Sequence, residues 1–215
     1  MKNDRLSEMI TNTHYDALSY SLNNPNGNRS SVRTDQLNTN VIKIFETILE
    51  QKLTFQAEYK IDCARGGKFT IDLVLIKDNK LIAILLLKDI ESSYNKNRHN
   101  YTNGIFGELQ RIYGKGNKKK YEKIPTYFVN LIPTSLPVRN NKGEIKNFEQ
   151  TQVSDIEADL DIFGSEVYLI NWKFPIEHDT LSEADGFGSH SYGKCDEKVL
   201  EKSITEINKL KAHLC

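Results

Sequence analysis

An α/β fold with a mixed β-sheet flanked by helices is the expectation for this chain, and three features carry it. The middle of the sequence runs helix, strand, strand, strand, helix, strand by its apolar spacing. Two of the strand-like runs, 69–76 and 81–87, are apolar almost throughout, which calls for a covering layer on each side of the sheet. At 215 residues, with 38% hydrophobic and 27% charged side chains, the chain is long enough and apolar enough for one packed core.

Each element follows from its local pattern. Residues 1–34 are polar and end in a run of Asn, Pro, Gly and Ser that reads as loop, with short helices expected at about 4–10 and 15–22. Thr34 or Asp35 can cap a helix over about 36–52, because Leu37, Val41, Ile44, Phe45, Ile48, Leu49 and Leu53 recur at helical spacing. Strands are expected at 54–61, 69–76 and 80–87. Arg65-Gly66-Gly67-Lys68 separates the first two, and Lys77-Asp78-Asn79-Lys80 is short enough to make the last two a tight hairpin. A polar run then leads to a helix at 103–114, with Ile105, Phe106, Leu109 and Ile112 as its stripe and Gly114 as its end. Strands follow at 126–132, between Pro125 and Pro133, and at 166–172. The stretch 134–164 reads as loop-rich with a hairpin tip near 139–147, and 175–194 as a long loop. A capped amphipathic helix closes the chain at 196–214. The reading is a single domain over 1–215, with a core at 36–132 and a loop-rich insertion at 134–195.

Charge and cysteine content exclude several classes. The net charge is zero, which argues against a generic nucleic-acid coat protein. Charge is nevertheless uneven: from Lys88 to Lys123 there are nine basic and four acidic residues, an excess of five. The three cysteines are odd in number and lack CxxC spacing, so neither a disulfide framework nor a zinc site is expected. No apolar run approaches a membrane span, and residues 1–10 lack the apolar core of a signal peptide. A cytoplasmic protein with no membrane partner is the expectation.

Two residues carry the chemistry. Asp72 is the one charge inside an otherwise apolar strand, and a buried carboxylate demands a partner, a metal ion or an opening in the sheet. Lys88 ends the next strand, across the hairpin. A two-residue turn at Asp78-Asn79 puts Asp72 opposite Leu85 and sends Lys88 to the other face. A three-residue turn or a bulge puts Asp72 opposite Leu86, and Lys88 then shares its face. An acid in one strand, a hairpin and an apolar strand ending in lysine resemble the PD-(D/E)xK nuclease superfamily, which includes many restriction endonucleases. The resemblance covers roughly 36–132 and implies a restriction-endonuclease-like core. It makes Asp72 the metal-binding aspartate and Lys88 the lysine that orients or helps deprotonate the attacking water. The polar run Ser92–Asn100 before a helix bearing Gly107-Glu108-x-x-Arg111 is also similar to restriction enzymes.

The pattern departs from the family at two positions. Ile71 replaces the motif's proline, and Leu86 stands where the second acid belongs; leucine offers a metal ion no oxygen. Three readings stay open. In the first, which is preferred, the acid comes from the following helix, as Glu108, with Glu91 as second choice. In the second, Leu86 leaves a protein that binds DNA without cutting it. In the third, the match is accidental. Under the first reading the resemblance implies site-specific hydrolysis of double-stranded DNA with Mg²⁺, for which Mn²⁺ can substitute, by a homodimer of a restriction system. Asp72, Lys88, Glu108 and Glu46 are the candidate catalytic residues, Glu46 binding a second ion through water or orienting the lysine. Asp72, Glu108 and Glu91 are the candidate metal ligands. Asn95, Lys96, Asn97, Arg98, His99 and Asn100 suit base readout, while Arg111, Lys118, Lys119 and Lys120 suit phosphates. The insertion at 134–195 would contact DNA or the partner subunit. Each assignment has a plainer rival: a snorkelling strand-end lysine, a Glu108–Arg111 surface pair, a solvated Glu46, a polar loop.

Overall fold

The computed structural model describes residues 2–24, 31–63, 66–91, 94–114, 121, 123–140, 145–151, 166–178 and 190–214. Two helices come first, α1 (Lys2–Asn23) and α2 (Ser31–Leu49), then strands β1 (Phe55–Asp62), β2 (Lys68–Lys77) and β3 (Lys80–Asp89). Helix α3 (Tyr94–Tyr113) crosses over to β4 (Thr126–Pro133), followed by β5 (Ser135–Arg139), β6 (Ile145–Gln150), β7 (Val167–Phe174), β8 (Ile176–His178) and β9 (His190–Tyr192). Helices α4 (Glu197–Asn208) and α5 (Lys211–Leu214) follow. The main sheet has the order β1-β2-β3-β4-β7. Its first three strands are antiparallel neighbours, while β3, β4 and β7 run parallel, so the sheet is mixed.

Both faces are covered, as doubly apolar strands require. On one face Leu73, Leu75, Leu85, Leu87, Val129 and Trp172 pack with Leu6 and Ile10 of α1, Ile44 and Phe45 of α2, and Leu200 and Ile207 of α4. On the other, Val74, Ile84, Leu86 and Phe128 pack with Ile105, Leu109 and Ile112 of α3. The protein is thus an α/β fold of three layers.

The structure departs from the sequence reading in five places. Helix α2 runs Ser31–Leu49 rather than over 36–52, so Thr34 and Asp35 lie inside it and do not cap it. The two short N-terminal helices are one continuous helix, whose buried stripe of Leu6, Ile10, Ala17 and Leu18 is interrupted by the fully buried His14. Helix α3 starts at Tyr94 rather than 103, so residues 94–100 of the polar run are helical backbone. The long C-terminal loop contains the β8–β9 pair, and the last helix divides after Asn208. The strands otherwise fall within two residues of expectation at each end. The hairpin tip at 139–147 does join two strands, β5 and β6, and residues 141–144 of it lie outside the described residues.

The β2–β3 hairpin resolves the question of register. Lys77 pairs with Lys80 across a two-residue turn in which Asp78 and Asn79 have φ of 51° and 59°. Such a turn needs two left-handed residues, a conformation Asp and Asn accept more readily than most. The ladder then shifts, because Ile76 pairs with Leu81 but Leu75 with Ala83, leaving Ile82 as an extra residue. A bulge of this kind moves every later residue by one. Leu73 pairs with Leu85, and one step on, Asp72 is level with Leu86.

Candidate functional site

Strand β2 leaves β3 at Asp72. Its pairing with β3 ends at Leu73, while its pairing with β1 runs on to Lys68. Side-chain alternation also breaks there: Phe69 and Ile71 pack on the α3 side, as do Val74 and Ile76, whereas Leu73 and Leu75 lie on the opposite face. Glu58, the β1 residue level with Asp72, sits at φ 51°, uncommon for a side chain other than glycine. The β1–β2 ribbon therefore twists away from the sheet at this point, as two-stranded ribbons do. Beyond Leu85, β3 keeps a strand neighbour on one side, β4.

Two carboxylates anchor to consecutive residues of this outer part of β3. Asp72 Oδ2 accepts the Leu87 backbone N–H at 3.1 Å, taking the place of a ladder partner. Lys88 Nζ donates to Glu108 Oε1 of α3 at 3.0 Å, with 32% of the Lys88 side chain and 19% of the Glu108 side chain exposed. Glu108 Oε2 is buried and has no hydrogen-bond partner among the described residues. A carboxylate oxygen left so is costly unless a cation or a donor reaches it. Leu86 is 1% exposed and belongs to the apolar cluster under α3, so its place in the motif is filled by core packing.

The other site candidates are placed as follows. Glu46 lies on α2, across the sheet from Lys88, where it accepts from Lys52 Nζ at 2.6 Å and from the Leu53 N–H at 3.1 Å. Burial raises its carboxyl, but these donors outweigh it and leave the group below its usual value. Glu91 binds Arg33, at 2.7 Å from Nε, and Ser21, at 2.9 Å. Burial and then nearby Asp89 push its carboxyl up against the pull of Arg33. Neither Glu46 nor Glu91 is brought to Lys88; Glu108 is. Arg111 lies over the Phe69 ring at 5.3 Å, which ties α3 to the twisted ribbon. Asn95 to Asn100 fall in the first two turns of α3, whose side chains there lie outside the described residues, as do Lys118, Lys119 and Lys120 altogether.

Asn130 and Asn171 were missed by the sequence reading. They stand in register with Lys88 across the parallel strands, and Asn130 Nδ2 donates to Asn171 Oδ1 at 2.7 Å. Both are buried. The signal was available, since each is a lone polar residue inside an apolar strand, as Asp72 is. The polar row lies toward the carboxyl ends of β3, β4 and β7, the end at which open α/β sheets bind ligands.

A hollow of about 450 Å³ beside Gln51, Lys77 and Asp78 lies at the turn end of the hairpin and contains none of these residues. Among the described residues no group of three or more His, Cys, Asp and Glu side chains could hold a metal ion together. Cys63 and Cys195 are free thiols. No described helix is long and apolar enough to cross a membrane. Comparison with family models, with curated proteins and with solved structures finds no match for this chain.

Proposed function

We propose that this protein is a Mg²⁺-dependent, site-specific endonuclease acting on double-stranded DNA, with the second acid of its site supplied by helix α3. The observation that carries the reading is the Glu108 carboxylate: one oxygen binds Lys88, and the other is buried with no partner among the described residues. Asp72 is anchored to Leu87 and Glu108 to Lys88, the next residue of β3, and both carry the oxygen donors that Mg²⁺ takes, commonly from one or two carboxylates together with substrate phosphates and water. The ion, when bound, supplies a lowered water pKa and a clamp on phosphate oxygens. Lys88, carried by β3, sets a positive charge beside the phosphate where negative charge develops. Asp72 holds the end of β3 in place through the Leu87 N–H.

Helical backbone under Asn95, Lys96, Asn97, Arg98, His99 and Asn100 favours base readout, because the major groove admits an α-helix. Arg111 and the basic stretch at 118–120 would meet phosphates, which set register without reading sequence. A homodimer matches a palindromic site and cuts both strands. A second reading, DNA binding without cleavage, is favoured by Leu86, which is core. Incubating a mixed-sequence duplex library with the protein and Mg²⁺, then sequencing the new ends, tests the proposal. Ends sharing one sequence support it; uncut DNA, or ends of random sequence, contradict it.

A further inference from the structure

Strand β3 does not stop at Lys88. Alternation turns the next residue, Asp89, to the opposite face, where the side chains of α1 and α2 meet it. Asp89 Oδ1 accepts from His14 Nδ1 at 2.6 Å, and Oδ2 accepts from Arg33 Nη2 at 2.8 Å. The His14 and Asp89 side chains have no exposed surface, and Arg33 is 13% exposed. The Arg33 fork also reaches Glu91, which Ser21 holds from α1. His14 is itself fixed between the rings of Phe174 and Tyr192, at 5.3 and 6.0 Å. The chain from Asp89 to Glu91 is thus pinned at two points by helices that pack on the face of the sheet opposite α3.

This clamp stands where the sheet holds β3 least. Past Leu85 the strand has lost β2 and keeps β4, with Lys88 beside Asn130 and Asp89 beside Leu131. A strand held by a full ladder along one edge, and on the other by the Asp72 bond to the Leu87 N–H alone, can rotate about its axis beyond Leu87. Rotation that frees Asp89 also swings Lys88, because their side chains leave the same backbone in opposite directions. A buried carboxylate with two charge-assisted partners resists that rotation, and losing either partner strands a buried charge.

We propose that Asp89 is a positioning residue for Lys88, clamped by His14 and Arg33, so that the N-terminal helical hairpin sets the geometry of the candidate site from the far side of the sheet. This rests on Lys88 being catalytic, as argued above. In the variant Asp89→Asn, kcat falls by about 10²-fold while KM for DNA is unchanged, the scale expected for a group displaced by about an ångström. A second readout needs no activity: the Cε resonance of Lys88 in lysine-labelled protein, assigned by its loss in Lys88→Met, moves in Asp89→Asn. An unmoved resonance and an unchanged kcat in a variant that melts cooperatively overturn the proposal. Should Asp89→Asn fail to fold, Arg33→Lys, which keeps the charge and removes the fork, is read by the same two measurements. If the unaltered protein cuts no DNA, the nuclease reading falls, and the Lys88 resonance alone decides for or against the clamp.

Discussion

Under the proposed function, Leu86 occupies the position that separates cutting from mere binding. It is packed among Ile105, Leu109 and Phe128, so Leu86→Ala should cost about 2–5 kcal/mol in a urea melt, as for other buried leucines cut back to a methyl. Leu86→Glu is the sharper variant. With the acid supplied by Glu108, a carboxylate at 86 is buried without a partner, so stability drops and cleavage does not rise. A rise in cleavage would instead mark Leu86 as the lost ligand. Glu46 makes a different prediction, on pH. Its carboxyl is held below the usual 4.5 by Lys52 and the Leu53 N–H, despite burial. A lowered folded value means stability that is present above 4.5 and lost as pH falls through the folded value. Glu46→Gln should therefore flatten the fall of Tm below pH 4.5. Glu91, raised by burial and by Asp89, works in the opposite sense: its contribution is present below its ordinary value and fades as pH rises.

At the level of elements, Asp72 acts as a ladder partner. In Asp72→Ala the Leu87 amide should exchange faster, while the amides of the paired stretch 73–85 keep their protection. Asp196 caps α4 by accepting the Val199 N–H at 3.0 Å, so Asp196→Ala should cost about 1 kcal/mol in thermal or urea melts. Strands and helices with continuous apolar patterns were legible from the residues, because burial alone sets their period. Three features were not. Nothing in Leu81-Ile82-Ala83 marks the bulge that moves Asp72 level with Leu86, since all three are apolar and either register buries them. The first half of α3 has no apolar stripe, so periodicity gave no reason to extend the helix back to Tyr94. In α1 the buried stripe contains His14, whose polarity hid the period; its reason is Asp89, 75 residues away. Of the site itself, Asp72 and Lys88 stood out as polar residues in apolar strands, whereas the Lys88–Glu108 contact is tertiary and has no local signal.

For the whole molecule, the sheet divides the core in two, with α1, α2 and α4 on one face and α3 on the other. Trp172, the single tryptophan, lies fully buried on the larger side. If the faces unfold together, the red shift of its emission should coincide with the loss of far-UV CD across a urea titration; separate midpoints would mean that α3 and its site come away first. Toward the carboxyl ends of the parallel strands the molecule sets Lys88, Asn130 and Asn171 in one row, with Asp89 behind it. Digestion of mixed-sequence plasmid DNA with Mg²⁺ by the unaltered protein, beside Asp72→Ala and Glu108→Ala, tests that arrangement most directly. Discrete fragments that vanish in both variants are the expected result. Intact DNA in every lane, with duplex binding that survives both changes, would show a protein that holds DNA and does not cut it.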